Sequence, residues 1–175
     1  LMIYKNLLIV HVEGTDVQYL AALDKTTGKT VWRTDRPKEL YDPLPWIGKK
    51  AYITPIIVKV NGKDLLISNG SAVCIAYDAE TGEEIWRIVQ GIDSTISMPF
   101  TENGVVYFYA GFVQNKEGRN VSDLIAVNPD GKGDIADDHI LWRLPSPPLQ
   151  LLTPLVMNGI IYTVKNQLPS SCRVL

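Results

Sequence analysis

The feature that most constrains this chain is a short unit that occurs three times. Its clearest copy is Ile75-Ala76-Tyr77-Asp78-Ala79-Glu80-Thr81-Gly82-Glu83-Glu84-Ile85-Trp86-Arg87, a strand, a Thr-Gly hairpin and a second strand closed by tryptophan. An earlier copy runs Ala21-Ala22-Leu23-Asp24-Lys25-Thr26-Thr27-Gly28-Lys29-Thr30-Val31-Trp32-Arg33. A looser copy joins Ile125-Ala126-Val127-Asn128 to Leu141-Trp142-Arg143 through a hairpin six residues longer. Trp32, Trp86 and Trp142 are spaced by 54 and 56 residues, a period that marks a repeat architecture.

Between these units the chain reads as strands and tight turns throughout. Leu7 to Val12, Gln18 to Asp24 and Lys29 to Arg33 form the first set of three. Thr34 to Lys50 then breaks the pattern, with Pro37, Pro43, Pro45 and Gly48 enforcing loop. Four strands follow, at Thr54 to Val60, Asp64 to Ser68, Ala72 to Asp78 and Glu83 to Val89, with hairpin signals at Asn61-Gly62 and Asn69-Gly70. The order repeats from Ser97 through Asn103-Gly104 to Leu144, and again from Thr153 through Asn158-Gly159 to Val164. No amphipathic helix is legible, so the expected class is all-β.

Many of these strands are continuous apolar runs, such as Val73-Cys74-Ile75-Ala76-Tyr77. Continuous runs imply sheets covered on both faces. Four-stranded antiparallel sheets stacked face to face around an axis make a β-propeller. The expected organisation is one propeller segment, 1–175: a partial blade at 1–36, blades at 51–91 and 96–145, the start of another at 152–167, and an atypical tail at 168–175. The repeated tryptophans, each able to bury ~150–250 Å², read as wedges between blades. Asp24, Gly28, Trp32, Asp78, Gly82, Trp86 and Trp142 are therefore structural repeat positions. About three blades are fewer than the four to eight of typical propellers, so the expectation is either a fragment of a longer exported chain or copies that assemble, an open blade face being the kind of apolar surface that drives self-association.

The pattern Ala-x-Asp-x-x-Thr-Gly-x-x-x-Trp at Ala22–Trp32 and Ala76–Trp86 resembles the tryptophan-docking motif of PQQ-like, quinoprotein-type propeller repeats. The Thr54-Pro55, Met98-Pro99 and Thr153-Pro154 starts resemble that family too. The resemblance implies an eight-bladed propeller, as in quinoprotein dehydrogenases and in outer-membrane assembly lipoproteins of the BamB type. It also implies an exported bacterial protein, periplasmic or extracellular, although the N-terminus of this sequence reads as no signal peptide and Leu1 opens the chain as if cut from something longer. For the dehydrogenases it implies PQQ, a Ca²⁺ or lanthanide ion, a catalytic aspartate and adjacent cysteines. Cys74 and Cys172 are not adjacent, and no Cys-x-x-Cys-His is present. The reading is therefore a non-catalytic scaffold that binds a protein or ligand, with no cofactor assigned. The alternative is a fragment of a PQQ-dependent alcohol or sugar dehydrogenase.

Other constellations carry less chemistry. Asp130, Asp134, Asp137 and Asp138 suggest a calcium loop, but Lys132 interrupts the oxygen ligands and no closing Glu follows, so an extended hairpin is the plainer reading. His11 and His139 lack a third ligand at metal spacing, which leaves them as core or surface residues. Net charge −2 without a basic run argues against a nucleic-acid partner. No apolar run approaches the ~18 residues of a membrane span. The connections Thr34–Ile53, Val89–Ser97 and Pro145–Leu152 share one end of a propeller. Tyr41, Trp46 and Asp93 in them are the candidates for an interaction loop.

Overall fold

The computed structural model describes residues 1–90, 95–110, 113–114, 120–146, 152–164 and 172–174. The first sheet contains β1 (Met2–Tyr4), β2 (Leu7–Glu13), β3 (Gln18–Asp24) and β4 (Thr30–Asp35) in that order. The sequence predicts three strands here. Strand β1 escapes it because it is three residues long and turns through Lys5-Asn6, where the other sheets use Asn-Gly. Lys5 takes the positive φ, 51°, that Asn61, Asn103 and Asn158 take in the equivalent turns. A short helix α1 (Lys38–Tyr41) and a single 3-10 turn, Trp46–Lys49, follow. These two pieces correct the expectation of unbroken loop from Thr34 to Lys50. Pro37 and Pro45 precede them, where a preset φ starts a helical turn without needing a donor.

The second sheet runs β5 (Ile56–Val60), β6 (Lys63–Asn69), β7 (Val73–Asp78) and β8 (Glu84–Val89). The third holds β9 (Phe100–Glu102), β10 (Val105–Tyr109), β12 (Asn120–Val127) and β14 (Ile140–Ser146), with β11 (Val113–Gln114) on β12. Within its long hairpin, β13 (Gly133–Asp134) leaves the third sheet and pairs in parallel with β8. In the fourth sheet, β15 (Leu155–Met157) and β16 (Ile160–Val164) are joined by β17 (Cys172–Val174). Of the tail expected to be atypical, only 172–174 lies among the described residues.

The sheets stack through their faces. Ile9, Leu20, Ala22 and Trp32 of the first meet Leu66, Val73, Ile75 and Tyr77 of the second. On its other face the second sheet sends Ile67, Cys74, Ala76, Trp86 and Ile88 against Val106, Phe108, Ile125 and Val127 of the third. Strand β7 is buried from Val73 to Tyr77 without a gap, since its alternate side chains enter two different cores. A third core joins Phe100, Tyr109 and Leu124 to Ile161 of the fourth sheet. Each fully buried Leu or Ile stabilises this stack by roughly 1.5–3 kcal/mol. The architecture is part of a β-propeller; among the described residues it is all-β apart from two helical turns and does not close into a ring.

The repeat has a consistent geometry. Each tryptophan faces an alanine on the neighbouring strand: Trp32 on Ala22, Trp86 on Ala76, Trp142 on Ala126. A bulge follows that alanine in all three sheets. The small partner leaves room for the indole. In the first two hairpins the aspartate holds the turn, its Oδ1 accepting from two successive backbone N–H groups: Thr26 (3.0 Å) and Thr27 (2.8 Å) at Asp24, Glu80 (2.9 Å) and Thr81 (3.0 Å) at Asp78. Gly28 and Gly82 then close the turn at φ 70° and 73°.

Candidate functional site

The connections at the end of β2 and β4 and the turn after β6 gather polar groups into one place. Glu13 ends β2, and Arg36 follows β4, its backbone N–H donating to Gln18 O at 2.9 Å. The Arg36 guanidinium lies against the Glu13 carboxylate, both side chains being 0% exposed. Glu13 also accepts from Tyr41 Oη (2.8 Å) and Ser71 N (2.9 Å), and lies 3.2 Å from His11 Nε2. Arg36 donates onward to Ser68 Oγ at 2.6 Å and Val73 O at 3.2 Å. Gly70 leaves the space this cluster needs, because a Cβ there would fall 2.6 Å from Tyr41 Oη and strike Glu13 as well.

Burial alone would raise the Glu13 carboxyl, but the Arg36 charge and the donors from His11 and Ser71 outweigh it and hold it below the usual carboxylate range. Burial pushes the Tyr41 phenol up, so it stays a neutral donor. The cluster ties three elements together and continues outward. Asn69 Nδ2 donates to Tyr109 O of the third sheet at 2.9 Å, and Gln90 Nε2 to Asn69 Oδ1 at 2.6 Å. The Glu13 and Arg36 side chains are closed off from solvent, and their arrangement clamps the loop between the first two sheets.

What the clamp presents is the rest of that loop. Ser71 Oγ donates to the Gly48 carbonyl, and the Tyr52 N–H donates to Thr95 O at 2.8 Å, so the segment is fixed at both sides. Trp46 is 61% exposed, Tyr52 61% and Ile47 47%, with Lys50 Nζ over the Trp46 ring at 4.8 Å. Of the residues expected in an interaction loop, Trp46 is at the surface. Tyr41 is not; at 1% exposure it is the anchor, because its hydroxyl satisfies Glu13. Asp93 lies outside the described residues. Tyr52 was not singled out by the sequence, nor was the Glu13–Arg36 pair. A lone charge at the end of the run Leu7–Val12 and another beside Pro37 have no spacing that announces a contact.

The remaining candidates fall elsewhere. Asp130 Oδ1 lies 3.3 Å from His139 Nε2, and Asp134 Oδ1 accepts from Ala136 N at 3.1 Å, while Asp137 and Asp138 are exposed in a turn. Among the described residues no group of three or more His, Cys, Asp or Glu is placed to hold a metal. The inserted hairpin serves packing: its backbone pairs with β8, Ile135 enters the core beside Trp86, and Trp86 Nε1 donates to Pro129 O at 3.0 Å. Trp32 lies over Gly82 of the next sheet's hairpin, whereas Trp142 remains 40% exposed. A 350 Å³ cleft between residues of the first and second sheets carries Lys5, Lys59, Asp64 and Glu80. Its lysines are committed to its own carboxylates, Lys5 to Glu80 at 2.5 Å and Lys59 to Asp64 at 2.6 Å. Neither place offers a donor set suited to a quinone cofactor with its metal.

The sequence model of the family described as outer membrane protein assembly factor BamB matches residues 16–157. No match is found among curated protein sequences. Among solved structures, quinohemoprotein alcohol dehydrogenase from Comamonas testosteroni aligns with TM-score 0.52 and 20% identity over 81% of this chain and 20% of its own. Quinohemoprotein alcohol dehydrogenase ADHIIG from Pseudomonas putida HK5 gives 0.53 and 20% over 98% and 30%. BamB from Moraxella catarrhalis gives 0.48 and 14% over 91% and 55%. The chain therefore spans about half of that BamB and less than a third of the two dehydrogenases, and the structural likeness speaks for fold. Among the described residues, no helix is long and apolar enough to cross a membrane.

Proposed function

We propose, from the premise that this chain belongs to the outer membrane protein assembly factor BamB family, that it is a non-catalytic propeller segment binding another protein through its Trp46–Tyr52 loop. The observation that carries the reading is the pairing of a closed, buried clamp with the exposed apolar residues it holds. Trp46, Ile47 and Tyr52 stand out on a loop fixed through Glu13, Arg36, Tyr41 and Ser71. Aromatic anchors on a preorganised loop bind at low entropic cost. On this reading each sheet is one blade, Trp32 and Trp86 are docking tryptophans between blades, and the protein works in the periplasm or at the outer membrane. The dehydrogenase reading draws on shared fold alone, and fold does not carry activity.

The test is site-specific photocrosslinking in cells producing the chain. A photoreactive amino acid at Trp46 or Tyr52 should capture the same partner, while one at Lys25, exposed in the Asp24 hairpin, should not. Equal capture from all three positions, or none from the first two, would remove the loop as the binding surface.

A further inference from the structure

The outer edge strands of the first two sheets match residue for residue, yet only one of them is covered. Thr30-Val31-Trp32-Arg33 of β4 corresponds to Glu84-Ile85-Trp86-Arg87 of β8, each with its tryptophan opposite an alanine and the same bulge beside it. The Arg36 N–H donates to Gln18 O and the Gln90 N–H to Ala72 O, which fixes the alternation of both ladders. Arg33, opposite Ala21, and Arg87, opposite Ile75, therefore fall at positions not bonded to the inner strand, and their N–H and C=O groups point away from the sheet. On β8 the inserted hairpin of the third sheet uses these groups. Gly133–Asp134 pairs there in parallel, and the Ile135 N–H donates to Arg87 O at 3.1 Å. Ile135 then enters the core beside Trp86, and Ile85 packs against that same core.

Strand β4 has no such cover among the described residues. The hairpin in the corresponding place, Asp78–Glu83, is wholly described, is six residues shorter and pairs with nothing on β4. Val31, the counterpart of Ile85, is 55% exposed, and Trp32 keeps 8% where Trp86 has 0%. The Arg33 side chain reaches along its own strand to Asp35 at 2.8 Å, which leaves the backbone edge open. We infer that the β4 edge is a strand-addition site, filled by an extended segment of a partner protein that pairs in parallel with Trp32 and Arg33. That segment reads small, polar, aliphatic, as Gly133-Asp134-Ile135 does on β8. Its backbone supplies the pairing, and its aliphatic side chain covers Val31 and the margin of Trp32. The site is independent of the Trp46–Tyr52 reading, because β4 contains no residue of that loop.

A peptide copied from the chain's own insert tests it: residues 129–138, fluorescein-labelled and titrated with the intact chain by fluorescence anisotropy. Saturable binding is expected, weakened about tenfold or more when the peptide carries Ile135→Asp, which forfeits one buried aliphatic side chain. In the protein, Arg33→Pro removes the outward donor at an edge position that accepts proline, and Val31→Asp spoils the apolar contact without touching the backbone. Both should weaken the peptide to a similar degree while near-UV circular dichroism of the free chain stays unchanged. Val31→Asp decides the matter alone if Arg33→Pro does not fold. No saturable binding, or equal affinity for the parent and Val31→Asp, would overturn the inference. So would a parent that sediments at twice the mass of Val31→Asp, which would give the edge to a second copy of this chain.

Discussion

Alanine at Gly82 is expected to cost the fold more than alanine at Gly28, although the two glycines close the same hairpin at nearly the same φ, 73° and 70°. Left-handed backbone at a residue with a Cβ costs about 1–2 kcal/mol, and both variants pay it. Their surroundings differ. A Cβ at Gly28 meets nothing within 4 Å, whereas at Gly82 it would lie 2.5 Å from Trp32 Cε3, 2.6 Å from Cδ2 and 2.9 Å from Thr34 Oγ1. Trp32 is itself only 8% exposed and packed between two sheets, so the ring has little room to withdraw. Overpacking of this kind adds about 1–3 kcal/mol. For a chain of this size that amounts to a difference in Tm of roughly 2–12 °C between the variants. Thermal unfolding followed by near-UV circular dichroism, run side by side on both variants, measures it. Equal midpoints would refute the claim that the tryptophan of one sheet is seated on the hairpin glycine of the next.

Three further expectations concern the clamp and the repeat. Glu13→Gln leaves the buried Arg36 charge without its partner and should destabilise by about 3–5 kcal/mol in urea titration, against about 0–1 kcal/mol for the exposed Glu80→Gln. Because the folded carboxyl of Glu13 sits below its unfolded value of 4.5, its contribution is present above pH 4.5 and is lost as pH falls through the folded value. Chemical unfolding at a series of acid pH values should therefore show a steeper loss in the parent than in Glu13→Gln. Finally, Trp86→Ala should cost about 3–5 kcal/mol, since it empties the core and frees the Pro129 carbonyl, while Trp142→Ala should cost clearly less. Matched urea midpoints for those two variants would contradict the assignment of Trp142 to an uncovered position.

Much of this architecture is written locally. The Asp-x-x-Thr-Gly turns, the Asn-Gly hairpins and the uninterrupted run at Val73–Tyr77 each state a strand, a turn or a two-faced burial within a few residues. What the sequence concealed depends on contacts across long separations. Strand β1 is too short and its Lys5-Asn6 turn too unspecific to be read alone. Tyr41 looked like a surface aromatic among prolines, and only Glu13, 28 residues earlier in the chain, makes it an anchor. Asp130–Asp138 resembled a ligand loop because oxygen spacing is visible in sequence, while the pairing of Gly133 with Trp86 on another sheet is not. Trp46 was legible because loop position and residue type suffice to place it at the surface; Tyr52 lacked the surrounding prolines that drew attention to the first part of the loop.

The central claim is that this propeller segment binds through its surface and holds no redox cofactor. Calorimetric titration of the folded chain with PQQ and Ca²⁺ together, with Ca²⁺ alone as the control, tests it most directly. The account predicts no saturable heat in either titration. Stoichiometric binding of PQQ would contradict it and place the chain with the quinohemoprotein dehydrogenases whose fold it shares, and heat from Ca²⁺ alone would return the Asp130–Asp138 hairpin to the status of a metal site.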